Sequence, residues 1–381
     1  MSEVKNIPQG WVISNLVDNL ESLIDYRGKT PQKANDGILT LSAKSVKMGF
    51  IDYSQAYYIT KETYDKFMVR GFPKIGDVLM TTEAPLGCIA RLDRDDVAIA
   101  QRLLTLRGKK NILNNDYLRL YLTSREGQFE LSSRASGSTV EGIKRSEFVN
   151  VKITLPPIEE QKAIASILTA FDDKIELLQA QNKTLETLAQ TIFAEWFGKY
   201  TIDDELPDGW TIGKLEDILV IKYGKDHKHL KDGNIPLYGS GGIMRYVEKA
   251  LYENPSILIP RKGTLSNLFY LNEPFWSVDT MFFSKIKKTF YGRFTFLFLK
   301  TLDLTAMNVG SAVPSLTTQV LNQIPIIIPV DEILIEFDEL VTSFYDKIEK
   351  NIIQIQSLTN TRDELLPRLM SGAIRVNEFK V

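Results

Sequence analysis

The chain is poor in the side chains that do most enzymatic chemistry. Its 381 residues include one cysteine, Cys88, and two histidines, His227 and His229. A single thiol excludes an internal disulfide framework and suits a reducing compartment, so the expected location is the cytoplasm. The histidines share a basic stretch, Lys222 to His229, with no cysteine nearby. A zinc site is therefore not expected there. No serine stands in a Gly-x-Ser-x-Gly elbow. No apolar run approaches the roughly 18 residues of a membrane span. The first residues lack the apolar stretch of a secretory signal, so none is expected. Net charge is −2, which excludes a strongly basic or acidic polyelectrolyte.

What the chain does have is a long amphipathic stretch, Leu155 to Gly198. Pro156-Pro157 ends the strand-like run Val151–Leu155, because proline supplies no N–H to a ladder. Glu159 and Glu160 then fall in a first helical turn, where acidic groups favour the dipole. Gly198 is placed to end the helix as its left-handed C′ residue. Between them Ile164, Phe171, Leu178, Leu185 and Ile192 recur every seven residues, with Ile167, Leu168, Ile175, Leu188, Ala189 and Trp196 beside them. That stripe predicts a coiled-coil-like face wide enough to pack on another helix and on something more.

The helix has a copy 173 residues later. Phe171-Asp172-Asp173-Lys174-Ile175-Glu176 aligns with Phe344-Tyr345-Asp346-Lys347-Ile348-Glu349. Ile164 falls on Phe337, Ile167 on Leu340, Leu185 on Leu358 and Ile192 on Leu365. The segments before the helices match as well: Leu206-Pro207-Asp208-Gly209-Trp210 answers Ile7-Pro8-Gln9-Gly10-Trp11, and Ile257-Leu258-Ile259 answers Val78-Leu79-Met80. The chain is thus an internal repeat of a globular segment followed by a long helix. Asp77–Thr82, Ser256–Pro260 and Ile324–Ile328 predict strands, the last at an edge because of Pro325. Residues 115–122 predict a helix capped by Asn114 or Asn115, and Tyr291–Lys300 its counterpart. Tyr238–Gly242 and Ala135–Ser138 predict loops. Each globular segment is expected to be a mixed α+β unit with a small twisted sheet.

Charge follows the same division. Residues 1–157 hold 22 Lys and Arg against 18 Asp and Glu, and residues 206–330 hold 14 against 10. Residues 158–205 hold 4 against 10, and residues 331–381 hold 6 against 10. The globular segments are mildly basic and the helices acidic, which favours an anionic partner for the former and a protein partner for the latter. Two decoys fail. Gly28-Lys29-Thr30 looks like the end of a phosphate loop, but Leu23 stands where its first glycine belongs. Asn272-Glu273-Pro274-Phe275 approaches an amino-methyltransferase tetrapeptide, but Glu273 replaces the required proline. No nucleophile, base and orienter come together, and a non-catalytic binding protein is expected. Aromatic, cationic and hydroxyl side chains do mix in matching loops, as nucleic-acid contacts require. Candidate DNA contacts are Arg27, Lys29, Lys44, Lys47, Arg102, Ser138 and Lys144 in the first segment. In the second they are Tyr223, Lys225, Tyr238, Arg261, Lys262, Thr280 and Ser311.

The leads Leu155–Ala165 and Phe193-Ala194-Glu195-Trp196-Phe197 closely resemble the specificity subunit of Type I restriction-modification systems. So do Leu206–Trp210, Gly76–Thr81 and Gly137-Ser138-Thr139-Val140-Glu141-Gly142-Ile143. The second copy departs from the pattern, because Pro329-Val330-Asp331-Glu332-Ile333 lacks the second proline and the Glu-Gln pair. The resemblance implies an α+β fold of two similar mixed α/β target-recognition domains. An antiparallel pair of long coiled-coil helices would hold them apart in a pseudo-two-fold repeat. The implied divisions are 1–155 and 199–328 for the domains, 156–198 for the first helix, and 329–381 for the second helix and tail. Each domain would read one half of a bipartite site in double-stranded DNA, and the helices would set the spacer. Two methyltransferase subunits, carrying S-adenosylmethionine, would dock on the helices, and a translocase-endonuclease subunit can join; this chain would hold no cofactor or metal. Polar pairs Lys174 with Lys347 and Gln181 with Gln354 are placed to set helix register, or else to face solvent. On residues alone a DNA-free scaffold and an enzyme of unseen site stay open as rivals.

Overall fold

Apolar runs cut by glycine, proline and asparagine set the elements. The computed structural model describes residues 7–26, 28–137, 140–307 and 315–376. The chain divides into two compact units, Met1–Leu177 with Ile355–Val381, and Leu178–Gln354. The first unit contains β1 (Val12–Asn15), β2 (Leu20–Asp25), β3 (Ile38–Leu41), β4 (Tyr57–Ile59), α1 (Lys61–Phe67), β5 (Val78–Thr82), β6 (Leu86–Arg91), β7 (Val97–Ile99), β8 (Leu103–Gly108), α2 (Asn115–Thr123), α3 (Arg125–Ser132), α4 (Arg145–Phe148) and β9 (Lys152–Leu155). One small sheet was expected, and three are present: β2-β8-β5-β6, β4-β3-β7 and the ribbon β1-β9. The reason lies in β5, which is buried along its whole length. Val78 and Met80 face a core shared with α2, while Leu79 faces a second core under the three-stranded sheet. A strand covered on both faces reads as an unbroken apolar run. Asn114 caps α2 by accepting the Tyr117 N–H at 2.9 Å.

The next elements are α5 (Ile158–Trp196), β10 (Thr211–Lys214), α6 (Leu215–Ile218), β11 (Leu219–Tyr223), β12 (Asp232–Gly239), β13 (Gly242–Val247), β14 (Ser256–Pro260), β15 (Phe269–Leu271), β16 (Trp276–Ser277), β17 (Met281–Ile286), α7 (Tyr291–Thr301), α8 (Thr318–Asn322), β18 (Pro325–Ile328) and α9 (Asp331–Ser371). The second unit repeats the first sheet for sheet: β11-β17-β14-β15, β13-β12-β16 and β10-β18. In β14, Ile257 and Ile259 face one core and Leu258 the other. Pro325 opens β18, where the missing N–H costs no ladder bond. Tyr238–Gly242, expected as a loop, is the end of β12, a two-residue turn and the start of β13.

In the first unit the start of α5 and the end of α9 pack on the domain core through Ile164, Leu168, Leu369 and Met370. Asp172 accepts from Arg119 of α2 at 3.2 Å and from Arg362 of α9 at 2.9 Å. In the second unit Phe193 and Phe197 of α5 meet Phe337 of α9 and Phe294 of α7, with ring centroids 4.9 to 6.1 Å apart. Tyr345, the repeat counterpart of Asp172, there takes the place of the carboxylate. Arg293 of α7 lies between the rings of Tyr345 and Tyr270, 4.0 and 3.8 Å from their centroids. Burial holds the Arg293 guanidinium below its usual pKa and pushes the Tyr345 hydroxyl up to about 12.

The expected helix-pair core needs correction. Ile164, Leu178 and Phe337 are buried, but Ile167, Phe171, Leu185, Ile192, Phe344, Leu358 and Leu365 are only half-buried, and Leu340 is exposed. The buried stripe runs one residue further round at Leu168 and its counterpart Val341, because each helix must also cover its domain. Lys174, Lys347 and Gln354 face solvent, and Gln181, though exposed, bonds Asn351 of α9. The buried polar group is instead Asn351, the counterpart of Leu178, which donates to Gln181 Oε1 at 2.9 Å and Asn182 Oδ1 at 2.8 Å. Gly198 is not left-handed; Gly372, just past α9, is, at φ +71°. α9 begins at Asp331 without the Glu-Gln pair, since Ile333 and buried Leu334 replace Glu160 and Gln161.

Candidate nucleic-acid interface

Strand direction gathers the candidate loops at one end of each unit. In the first, Asp25 of β2 pairs Leu104, Thr81 of β5 pairs Leu103, and Leu41 of β3 lies parallel to Ile99 of β7. The exits of β2, β3, β5 and β7 and the entry of β8 therefore share one edge. Lys29 follows β2 and is exposed, its N–H held by the Tyr26 carbonyl at 3.1 Å. Tyr26 anchors that loop: it is fully buried, stacks on Phe67 and accepts the Arg70 N–H at 2.7 Å. Lys44 follows β3 in a short turn closed by Ser42 and Ser45, and half-buried Lys47 lies just beyond it. Lys144 is exposed beside the β5 exit, where the Ile143 N–H donates to the Thr82 carbonyl at 3.0 Å. Arg102 sits in the turn into β8 with φ +65°. Its carbonyl accepts the Thr82 N–H at 2.9 Å, and its Nε lies 2.6 Å from Glu83 Oε1.

The second unit builds the same end. Tyr223 of β11 pairs Phe282, Pro260 of β14 pairs Met281, and Tyr238 of β12 lies parallel to Ser277. The Thr280 carbonyl accepts both the Arg261 N–H at 2.8 Å and the Lys262 N–H at 3.2 Å. The Arg261 guanidinium lies 5.3 Å from the Tyr223 ring and donates to the Asp279 carbonyl at 3.1 Å. Exposed Lys225 is fixed by its own backbone, its N–H on Ser277 and its carbonyl on the Trp276 indole. Tyr223, Lys225, Arg261, Lys262 and Thr280 are thus brought together. Tyr238 is not: its ring is buried in the core beneath the turn, and burial pushes its hydroxyl up to about 12. It is a packing residue, because β12 turns it inward. Arg27, Ser138 and Ser311 lie outside the described residues.

Sequence reasoning passed over Glu83 and Asp279, which hold the two arginines. It also missed exposed Met48 and Phe50 in the bend after Lys47, and Ile243 and Met244 at the start of β13. Glu83 directly follows the strand Val78–Thr82, and that position was its one available signal. His227 and His229 lie in the loop after β11.

A duplicated α+β chain with a cation-bearing strand end on each copy has the form of a two-headed reader of a polyanion. Residues 8–187 and 207–360 each match the model of the Type I restriction modification DNA specificity domain, and the chain belongs to that family. It is a specificity subunit, the non-catalytic DNA-recognition part of a restriction-modification system. It is 29% identical over 365 residues to the Type I restriction enzyme MjaIX specificity subunit of Methanocaldococcus jannaschii, covering 84% of this chain and 82% of that one. The crystal structure of a Type I restriction-modification S subunit from M. genitalium matches with a TM-score of 0.69 at 18% identity, covering 97% and 98% of the two chains. A chain from a study of assembly and conformational transition in the Type I system matches at 0.50 and 17%, covering 97% of this chain and 100% of that one. At those identities the structural likeness speaks for the fold. Among the described residues no helix is long and apolar enough to cross a membrane.

Proposed function

We propose that each unit reads one half of a bipartite site in double-stranded DNA with the loops at its cationic strand end. The recurrence of that end carries the reading. Two domains with divergent loops place Lys44, Arg102 and Lys144, and Lys225, Arg261 and Lys262, at the same edge of the same sheets. The lysines serve phosphates and the tethered arginines serve base edges. Different side chains at the two ends make the two halves of the site different. The acidic α5 and α9 fix the gap between the halves and dock two methyltransferase subunits, which a translocase-endonuclease subunit joins. S-adenosylmethionine belongs to the methyltransferase subunits, which act on adenine in the cytoplasm; this chain holds no cofactor in the reading.

Co-expression with the neighbouring methyltransferase, followed by base-resolution mapping of methyladenine in host DNA, tests this. The expected result is a split motif with a fixed gap, lost when this chain is omitted. Lys225→Ala with Arg261→Ala should alter one half of the motif and leave the other. Methylation that ignores this chain, in a complex that assembles normally, would overturn the reading.

A further inference from the structure

We infer that Arg102 is the side chain with which the first domain reads a guanine, and that Glu83 is its positioning residue. The inference rests on the strand end being the DNA-facing surface.

A carboxylate among cations that face DNA needs a reason, since it repels phosphates. Glu83 has one. Its Oε1 lies 2.6 Å from Arg102 Nε, and among the described residues it is the charged partner of that guanidinium. An arginine engaged at Nε keeps both terminal nitrogens as a parallel pair of donors, the fork that matches guanine O6 and N7. Neutralised by Glu83, Arg102 adds little net charge, which suits a directional base contact better than a phosphate contact.

Stability does not account for the pair. Both side chains are about half exposed, and an exposed ion pair stabilises a fold little. Arg102 is held at φ +65°, where a side chain other than glycine is strained. Ala84, next to Glu83, is also left-handed at +56°. One strained residue therefore belongs to this solvent-facing pair and a second adjoins it, as happens where geometry serves binding.

The second domain places an arginine at the same junction from the opposite strand. There the Arg261 N–H meets the Thr280 carbonyl, as the Thr82 N–H meets the Arg102 carbonyl in the first. Arg261 is tethered by the Tyr223 ring and the Asp279 carbonyl, not by a carboxylate. Each copy thus offers one oriented arginine at that junction, on its own local support.

The test uses the full chain co-expressed with the methyltransferase subunit on a plasmid library randomised through the recognised site. Arg102→Lys, Arg102→Gly and Glu83→Gln are compared by methylation mapping, thermal melting of the complex, and the salt dependence of duplex binding. Arg102→Lys and Arg102→Gly should each lower discrimination for guanine about 10- to 100-fold at one position of one half-site, with the other half unchanged. Glu83→Gln should relax that same position more weakly. Arg102→Gly should melt no lower than the parent, because glycine removes the backbone strain. Two results overturn the inference while leaving the DNA-facing end intact. One is an unchanged motif in all three variants. The other is Arg102→Lys behaving as the parent while Arg102→Gly weakens all sequences alike with a shallower salt slope, which marks a phosphate contact. If Lys225→Ala with Arg261→Ala also leaves the motif unchanged, the strand-end reading itself fails.

Discussion

Glu160 shows how one side chain ties three parts of the first unit. It is buried at the first turn of α5, accepts the Trp11 indole at 3.1 Å, and takes both Nε and Nη2 of Arg375 at 2.6 and 2.8 Å. Trp11 opens the domain and Arg375 lies beyond α9, so the carboxylate joins both ends of the unit's chain to the helix start. The second copy fills the same place with Ile333. Removing one partner of a buried pair is costly because the other charge is stranded. Arg375→Ala should therefore lower stability by about 2–3 kcal/mol, below the full buried-pair cost because the arginine is 29% exposed. Glu160→Ala should cost less, since Arg375 can turn to water. The double variant should cost less than the two single effects added. Denaturant unfolding of the four chains measures this, and strict additivity would remove the coupling. Gln161 beside it donates to the carbonyls of Ile112 and Pro156 and accepts the Asn114 N–H, so a second buried polar side chain locks the loop to α2.

At the scale of elements, the helix pair breaks its own symmetry at Asn351. The buried stripe repeats as Ile164 with Phe337, Leu168 with Val341 and Ile175 with Ile348, and then meets Leu178 with Asn351. Asn351 donates twice but leaves its own Oδ1 buried with no partner among the described residues. A buried amide of this kind fixes register at a cost in stability. Asn351→Leu should raise the melting temperature, with a gain of about 1 kcal/mol, and should let alternative helix registers compete. Thermal melting reads the first effect, and crosslinking of engineered cysteines along α5 and α9 reads the second. A lower melting temperature would show that the amide stabilises the pair outright. This residue also marks the limit of what the sequence discloses. The repeat, both long helices, β5, β14 and the Asn114 cap were legible because each rests on local pattern. The width of the stripe discloses that each helix covers more than its partner, but not which row is buried: Leu168 and Val341 lie in the core, while Ile192 is half-buried and Leu340 exposed. Tyr238 stands beside Gly239 and Ser240 like a loop residue, yet a shift of strand register between Leu237 and Tyr238 puts both side chains in one core. Glu83 is not legible in the sequence because its role depends on Arg102, nineteen positions away and adjacent only through the β5 and β8 pairing.

At the scale of the molecule, the proposed division of labour makes spacing a property of helix length. α5 and α9 each run unbroken through the division between the two units. A heptad added to each lengthens both by about 10 Å at 1.5 Å per residue. The insertions belong between Asp172 and Gln181 in α5 and between Asn351 and Arg362 in α9. There they preserve the Asp172–Arg362 and Gln181–Asn351 contacts, each inside its own unit. DNA rises about 3.4 Å per base pair, so the recognised gap should grow by about three pairs. Rotation does not keep pace: three pairs turn the duplex by roughly 100° at 10–10.5 pairs per turn, whereas a heptad leaves an α-helical face only about 20° from where it began. The lengthened chain must twist the DNA or itself, and should bind more weakly while keeping both half-site sequences. Insertion in one helix alone offsets one buried stripe against the other and should lower the melting temperature without producing a new gap. Methyladenine mapping with the doubly lengthened chain decides between the outcomes. A motif with the parental gap would mean that the loops at the strand ends, not the helices, set the distance between the halves.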